Sequence, residues 1–321
     1  LNKHLKILTA SDETNLQREA LFASLQLPSP VHSFVFCNHH FYLKRDDLID
    51  SDFSGNKARK FYYYLFHQFP EIKTLRSYGS AQSNAMYSLS VLAKMRGWEF
   101  EYYVDHVTEY LKNNPHGNYQ KALENGMHLF VDQKFPSIKQ NEVLTIEEGG
   151  RQAESMFGIM LLAQEIVAWK NEKNLEKLCI FLPSGTGTTA LYLQKYLSVY
   201  QKKPTIFVYT TPCVGDVEYL KKQFDLLEPD ERYHPVILIS SKKYHFGKLY
   251  KEHYEMWLKL SHDTDVIFDL LYDPIGWRVV LENISLFEAS TLYLHQGGVL
   301  GNVSMLLRYR RKFPHLEKEF F

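Results

Sequence analysis

The feature that most constrains this chain is a repeated local order: a short apolar run, a glycine turn, then a helical pattern. The segment from Cys179 to Leu193 (CIFLPSGTGTTALYL) carries all three in fifteen residues. Uninterrupted apolar runs suit strands buried on both faces, as in parallel sheets covered by helices. Further candidate strands are Phe41 to Leu43, Phe100 to Val104, Leu129 to Val131, Leu178 to Leu182, Ile206 to Tyr209, Val236 to Ile239 and Leu292 to His295. Between them, apolar residues recur at three- and four-residue spacing over Ala85 to Arg96, Ser155 to Lys170 and Thr188 to Tyr200. Gly97 follows the first of these as a C-terminal stop. Strand and helix alternating in this way predict an α/β fold. Glycine turns at Gly79, Gly149-Gly150, Gly185 to Gly187 and Gly297-Gly298 sit beside small polar residues. Open α/β sheets bind ligands at such strand ends.

Composition narrows the function classes. The 321 residues hold 37 basic and 37 acidic side chains, so no net field draws the chain to nucleic acid or to an anionic membrane. No apolar run approaches the roughly 18 residues that a membrane-spanning helix requires. The start, LNKHLKILTASDE, lacks the layout of an export signal, and three scattered cysteines (Cys37, Cys179, Cys213) suit a reducing compartment, so a cytoplasmic location is expected. His39-His40 have no acidic or cysteine partner at metal-ligand spacing, so no metal site is expected. The basic run Arg308, Arg310, Arg311 and Lys312 reads as a solvated helix face, with Glu317 and Glu319 close behind it.

Three segments carry candidate chemistry. In Ser184-Gly185-Thr186-Gly187-Thr188-Thr189, glycines let backbone N–H groups approach an anion and the hydroxyls add donors at a helix N-terminus. The loop has neither the lysine of a nucleoside-triphosphate loop nor a full G-x-G-x-x-G, so a small monophosphate fits better. The alternative is a glycine-rich turn used only for tight strand–helix packing. Lys57 follows a Ser-Gly-Asn turn at the mouth of a helix. A lysine that does carbonyl chemistry needs a neutral amine, which desolvation or a neighbouring charge such as Arg59 or Lys60 would supply. Alternatively it is an ordinary solvated charge. Gln82, Ser83 and Asn84 would offer donors to a carboxylate or phenolic oxygen, or merely cap the helix.

Taken together, LKRDDL with SGNKARK, GSAQSN, Gly117-Asn118, EEGGRQ, SGTGTT, YHFGK and HQGGVLGN resemble, in order, the segments of one enzyme family. It is the 1-aminocyclopropane-1-carboxylate deaminase and D-cysteine desulfhydrase family of pyridoxal 5'-phosphate enzymes, related to tryptophan synthase β (fold type II). The resemblance implies a two-lobed, three-layer parallel-sheet fold. Residues 1–59 and 148–321 would form a large cofactor-binding domain and residues 60–147 a smaller substrate-side domain, in a homodimer. It implies that Lys57 holds the cofactor as a Schiff base and moves protons, with Ser83 also catalytic. Asn84 would bond the phenolic oxygen, and Gly185, Thr186, Gly187, Thr188 and Thr189 the phosphate, with Gly297 beside the cofactor. Gln82, Ser83, Asn84, Gly149, Gly150 and Phe246 would line the place of a small amino-acid substrate.

The departures bear on the reaction. In the deaminases a tyrosine and a glutamate follow an Asp-Pro-Val segment, the glutamate bonding the pyridine nitrogen; Asp273-Pro274-Ile275 here continues with Gly276-Trp277. Phe246 stands where a second tyrosine precedes a glycine, and Ala85 where His or Gln is usual. With these positions changed, ring opening is not expected. The expected reaction is α,β-elimination as by D-cysteine desulfhydrase, a lyase that releases sulfide, pyruvate and ammonia. A deaminase, a non-catalytic relative that only binds the cofactor, and a nucleotide-binding loop are the alternatives.

Overall fold

The computed structural model describes residues 25–53, 55–136, 140–201, 204–287 and 290–315. Ser54, Glu317, Glu319 and the stretch read for an export signal lie outside the described residues. The first elements are β1 (Val31–Phe36), β2 (His39–Arg45), α1 (Gly55–Phe66), β3 (Thr74–Tyr78), α2 (Asn84–Arg96) and β4 (Glu99–Val104). They are followed by α3 (Glu109–Asn113), α4 (Gly117–Glu124), β5 (Met127–Val131), β6 (Val143–Thr145), α5 (Ser155–Glu172), β7 (Leu178–Ser184) and α6 (Thr188–Tyr200). The remainder comprises β8 (Ile206–Pro212), α7 (Val217–Asp225), β9 (Val236–Ile237), α8 (Lys251–Thr264), α9 (Asp273–Glu282), β10 (Ser290–His295) and α10 (Gly301–Lys312).

The strands form two sheets. One runs β1-β2-β10-β7-β8-β9, antiparallel between β1 and β2 and parallel elsewhere; the other runs β5-β4-β3-β6, parallel throughout. Every residue of β7 is buried, as its apolar run from Leu178 to Leu182 demands, and the Ser184 hydroxyl at its end is paired with Thr210. Each candidate strand is a strand, although β9 is confined to Val236–Ile237. Three were not foreseen. In β3 the obstacle is Arg76, a charge in mid-strand that is tolerated because its Nε meets Glu101 on the neighbouring β4 at 2.6 Å. β1 carries exposed polar residues, and β6 is three residues long.

The helical boundaries follow local chemistry. Ser83 caps α2 by accepting from the N–H of Ala85, and Gly97 ends it in the left-handed conformation, which costs glycine least. Helix α1 packs on α5 and α2, so the residues following Gly55 run between the two sheets. Its buried face includes an ionic cluster: Arg59 pairs with Asp46 and Glu165 at 2.7 Å each, and Lys44 reaches Glu165 at 2.6 Å. Two cations and two carboxylates balance there, so none is left as an uncompensated buried charge. No helix of the described residues is long and apolar enough to cross a membrane.

Candidate active site

Four glycine turns at the carboxyl ends of β3, β6, β7 and β10 converge on one cleft of about 480 Å³. Its lining takes Lys57 from α1; Gln82, Ser83 and Asn84 from the turn after β3; Gly149 from the turn after β6; Gly185 to Thr189 from the turn after β7; and Gly297 from the turn after β10. Residues 240 positions apart in sequence therefore face one another. Phe246 also lines the cleft, its ring 5.3 Å from that of Tyr272. Gly150 does not, contrary to expectation: a methyl group there would lie 2.7 Å from the Phe61 ring, so this glycine serves close packing of α1.

The loop after β7 is built as an anion cradle. Gly187 adopts a left-handed φ of 70° at the N-cap of α6 and supplies no capping side chain, which leaves the first amides of a thirteen-residue helix free to receive a ligand. Thr188 and Thr189 are buried, and the Thr189 hydroxyl has no hydrogen-bond partner among the described residues. An orphaned buried hydroxyl beside unpaired helix amides is the local signature of a missing acceptor. Thr186 and Thr188 hydroxyls lie 3.1 Å apart, both on the cleft.

Lys57 is positioned by backbone as much as by side chains. Asn56 N–H donates to the Gln296 carbonyl at 2.9 Å, its side-chain amide donates to Gln296 Oε1 at 3.0 Å, and Lys57 Nζ donates to Asn56 Oδ1 at 3.3 Å. Burial pushes the Lys57 amine down to about 8, against an opposing pull from the Asp269 carboxylate. Arg59, considered above as a neighbour that would depress this amine, is instead committed to Asp46 and Glu165. Lys60 is likewise engaged elsewhere: its Nζ donates to the Gly149 carbonyl at 3.0 Å, and burial, then Lys57, hold it well below the usual lysine range.

Asn84 is held in one orientation. Asn118 donates to its Oδ1 at 2.6 Å, so the Asn84 N–H₂ turns toward Asp269 and Gly298. Gly298 has a φ of 82°, and a methyl group on it would come within 2.4 Å of Asn84 Nδ2. Asp269 is buried. One of its oxygens accepts the N–H groups of Leu271 and Tyr272 at 2.8 and 2.6 Å, while burial raises the carboxyl to about 6.

The residues around the start of α9 divide between cleft and core. Gly276 and Trp277 do not face the cleft: Trp277 is wholly buried in the core, stacked 4.3 Å from Tyr293 and edge-on to Phe36 and Phe41. One turn earlier, Asp269, Leu271, Tyr272 and Asp273 do line it. Asp269, Tyr272 and Asp273 thus bring a tyrosine and two acids to the cleft from the residues up to Asp273-Pro274, whereas the Gly276-Trp277 that follows Ile275 brings neither. Asp273 accepts from the Tyr293 hydroxyl at 2.8 Å and from the Asp269 N–H at 2.9 Å. Burial, then Asp269, push it well above the usual carboxylate range. The signal available in sequence was a Tyr-Asp pair immediately before a proline at a helix start. Arg308 also departs from the solvated face expected of it: Arg310, Arg311 and Lys312 are exposed, but Arg308 turns into the cleft.

Comparisons with known proteins agree with this geometry. No family model matches the chain. A Thermotoga maritima protein described as a candidate 1-aminocyclopropane-1-carboxylate deaminase is 23% identical over 287 residues, which cover 81% of this chain and 89% of that protein. Among solved structures, an ACC deaminase homologue superposes with a TM-score of 0.71 at 20% identity, over 92% of this chain and 98% of its own. A hydrogen sulfide-producing enzyme from Fusobacterium nucleatum superposes with a TM-score of 0.61 at 12% identity, over 84% and 95%. The fold is the parallel-sheet α/β fold expected from the motifs, and the resemblance drawn from them is borne out.

Proposed function

We propose that this chain, which has the fold of the fold type II pyridoxal-phosphate enzymes, binds that cofactor on Lys57 and uses it to eliminate a β-substituent from a small amino acid. The observation that carries the proposal is the pairing, in one cleft, of an amine held near neutrality with an uncapped helix N-terminus whose buried Thr189 hydroxyl lacks a partner. An amine and a monophosphate cradle are the two groups that this cofactor requires, and the residues present fit it.

When bound, the cofactor supplies the electron withdrawal that weakens bonds at the amino acid's α-carbon. The protein's own share is positional. Thr186, Thr188, Thr189 and the first amides of α6 would hold the phosphate. Asn84, fixed by Asn118, would donate to the phenolic oxygen, and the buried carboxyl groups of Asp269 and Asp273 on the cleft would be the candidates for the ring nitrogen. Gln82 and Ser83 at the start of α2 would receive the substrate carboxylate. Lys57, freed of its linkage, would take the α-proton as a general base, a task suited to an amine near 8.

Elimination is preferred over ring opening because Phe246, on the cleft wall, has no hydroxyl to give. For a cysteine the balance is cleavage of the Cα–H and Cβ–S bonds, release of sulfide, then hydrolysis to pyruvate and ammonia. A deaminase acting on the cyclopropane amino acid is the second reading, favoured by the presence of Tyr272 on the cleft. A non-catalytic relative that only binds the cofactor would turn over none of these substrates. Incubating cofactor-loaded protein with D-cysteine, L-cysteine and the cyclopropane amino acid distinguishes these. Sulfide with equimolar pyruvate from one cysteine isomer is expected; ammonia from the cyclopropane substrate without sulfide from either cysteine would transfer the assignment to the second reading.

A further inference from the structure

Helix α10 lines the cleft with Gly301, Ser304, Met305 and Arg308, positions 0, 3, 4 and 7 of one helical face. Gly301 marks the reactive end, where a methyl group would lie 3.2 Å from Asn84 Oδ1. Arg308 stands about 10 Å further along the axis, and side chains on a helix lean back toward its N-terminus, so the guanidinium inclines toward the reacting centre. It donates to the Gly247 carbonyl at 2.7 Å and to the Met305 sulfur at 3.3 Å. Among the described residues no carboxylate forms an ion pair with it, and it is half-buried.

A partly desolvated guanidinium held only by a carbonyl and a thioether retains donors in the planar fork that matches a carboxylate or phosphate. The substrate's own α-carboxylate is provided for elsewhere, at Gln82 and Ser83. Resting on the function proposed above, we infer that, among the amino acids the cleft accepts, cysteine included, it favours those whose side chain ends in a second anionic group, and that Arg308 receives it. Lining the same wall, Ser304 adds a hydroxyl, while Phe246 and Met305 surround the stem of such a side chain with apolar surface. A residue that merely tethered the Phe246-Gly247 loop would act on all substrates alike.

The test titrates cofactor-loaded protein with matched pairs in both stereochemical series: aspartate against asparagine, glutamate against glutamine, and O-phosphoserine against serine. The change in visible absorbance reads half-saturation. The acidic member of at least one pair saturates at a tenfold or greater lower concentration than its neutral partner, and which pair does so separates carboxylate from phosphate recognition. In Arg308→Gln that ratio collapses toward one; Arg308→Lys, which keeps a cation, retains part of it. Equal half-saturation within every pair of the unaltered protein, or a uniform weakening in Arg308→Gln that preserves the ratio, would overturn the inference while leaving the cofactor assignment intact. Failure of the visible band to form at all would instead remove the proposed function on which the inference rests.

Discussion

Asn118 donates to Asn84 Oδ1 at 2.6 Å, and the same amide donates to the Gln82 carbonyl at 3.1 Å. One side chain at the start of α4 therefore sets both the orientation of Asn84 and the path of the turn that carries Gln82. Asn84 can present its donor to a cofactor oxygen only while its own oxygen is held away. In Asn118→Ala the donor is free to rotate, and cofactor affinity should fall about tenfold, in the range seen when outer partners of a bound group are removed. Spectral titration with pyridoxal phosphate checks this; an unchanged affinity would assign Asn118 a purely structural role.

The Lys57 amine gives a pH signature. A solvated lysine titrates near 10.4, whereas burial brings this one to about 8. Condensation with an aldehyde needs the neutral amine, so below pH 8 the reactive fraction drops about tenfold for each unit of pH. Cofactor uptake by stripped protein should accelerate from pH 6 to 8 and then level off. A rate still climbing beyond pH 9 would mean that the amine is exposed. The sign for stability is the same: the folded state binds this proton less tightly than the unfolded chain, so the group contributes more stability as pH rises between about 8 and 10.4.

Two glycines with nearly equal φ separate backbone strain from close approach. Gly97 (φ 67°) has open space where a methyl group would go, while Gly55 (φ 66°) would place it 2.0 Å from the Gln296 carbonyl oxygen. Gly97→Ala should cost about 1 kcal/mol, from left-handed strain alone. Gly55→Ala should cost at least about 2 kcal/mol more, because backbone must shift to relieve the overlap. It should also displace Lys57, two residues on. Denaturant unfolding measures the difference; equal costs would show that the α1–β10 junction yields freely.

How much of this was legible in the sequence depended on whether a residue announced its surroundings. β7 did, because the apolar run from Leu178 to Leu182 has no polar position to turn toward water. Its glycine loop did too, since Gly185 and Gly187 flank hydroxyls at a helix start. β3 did not, because the buried Arg76 is accounted for by Glu101 and Gln140, partners 25 and 64 residues away. Around α9 the departure at Gly276-Trp277 was legible, but not which turn of the segment meets the cleft. Tyr272-Asp273 and Gly276-Trp277 are separated by about one helical turn, and which turn meets the cleft is set by Phe36, Phe41 and Tyr293 packing on Trp277. Such packing is tertiary information. Arg308 was misread for a related reason: composition shows a basic run, but only the helix's placement shows that one member points inward.

The central claim is that Lys57 carries the cofactor in this cleft, and an absorbance spectrum tests it most directly. Protein purified with pyridoxal phosphate, then freed of unbound cofactor, should show a visible band from the lysine linkage. Borohydride reduction should fix the label on the peptide that contains Lys57. In Lys57→Ala, with the fold checked by circular dichroism, the band should be absent. A band of equal strength in Lys57→Ala, or reduced label on another lysine, would contradict the account.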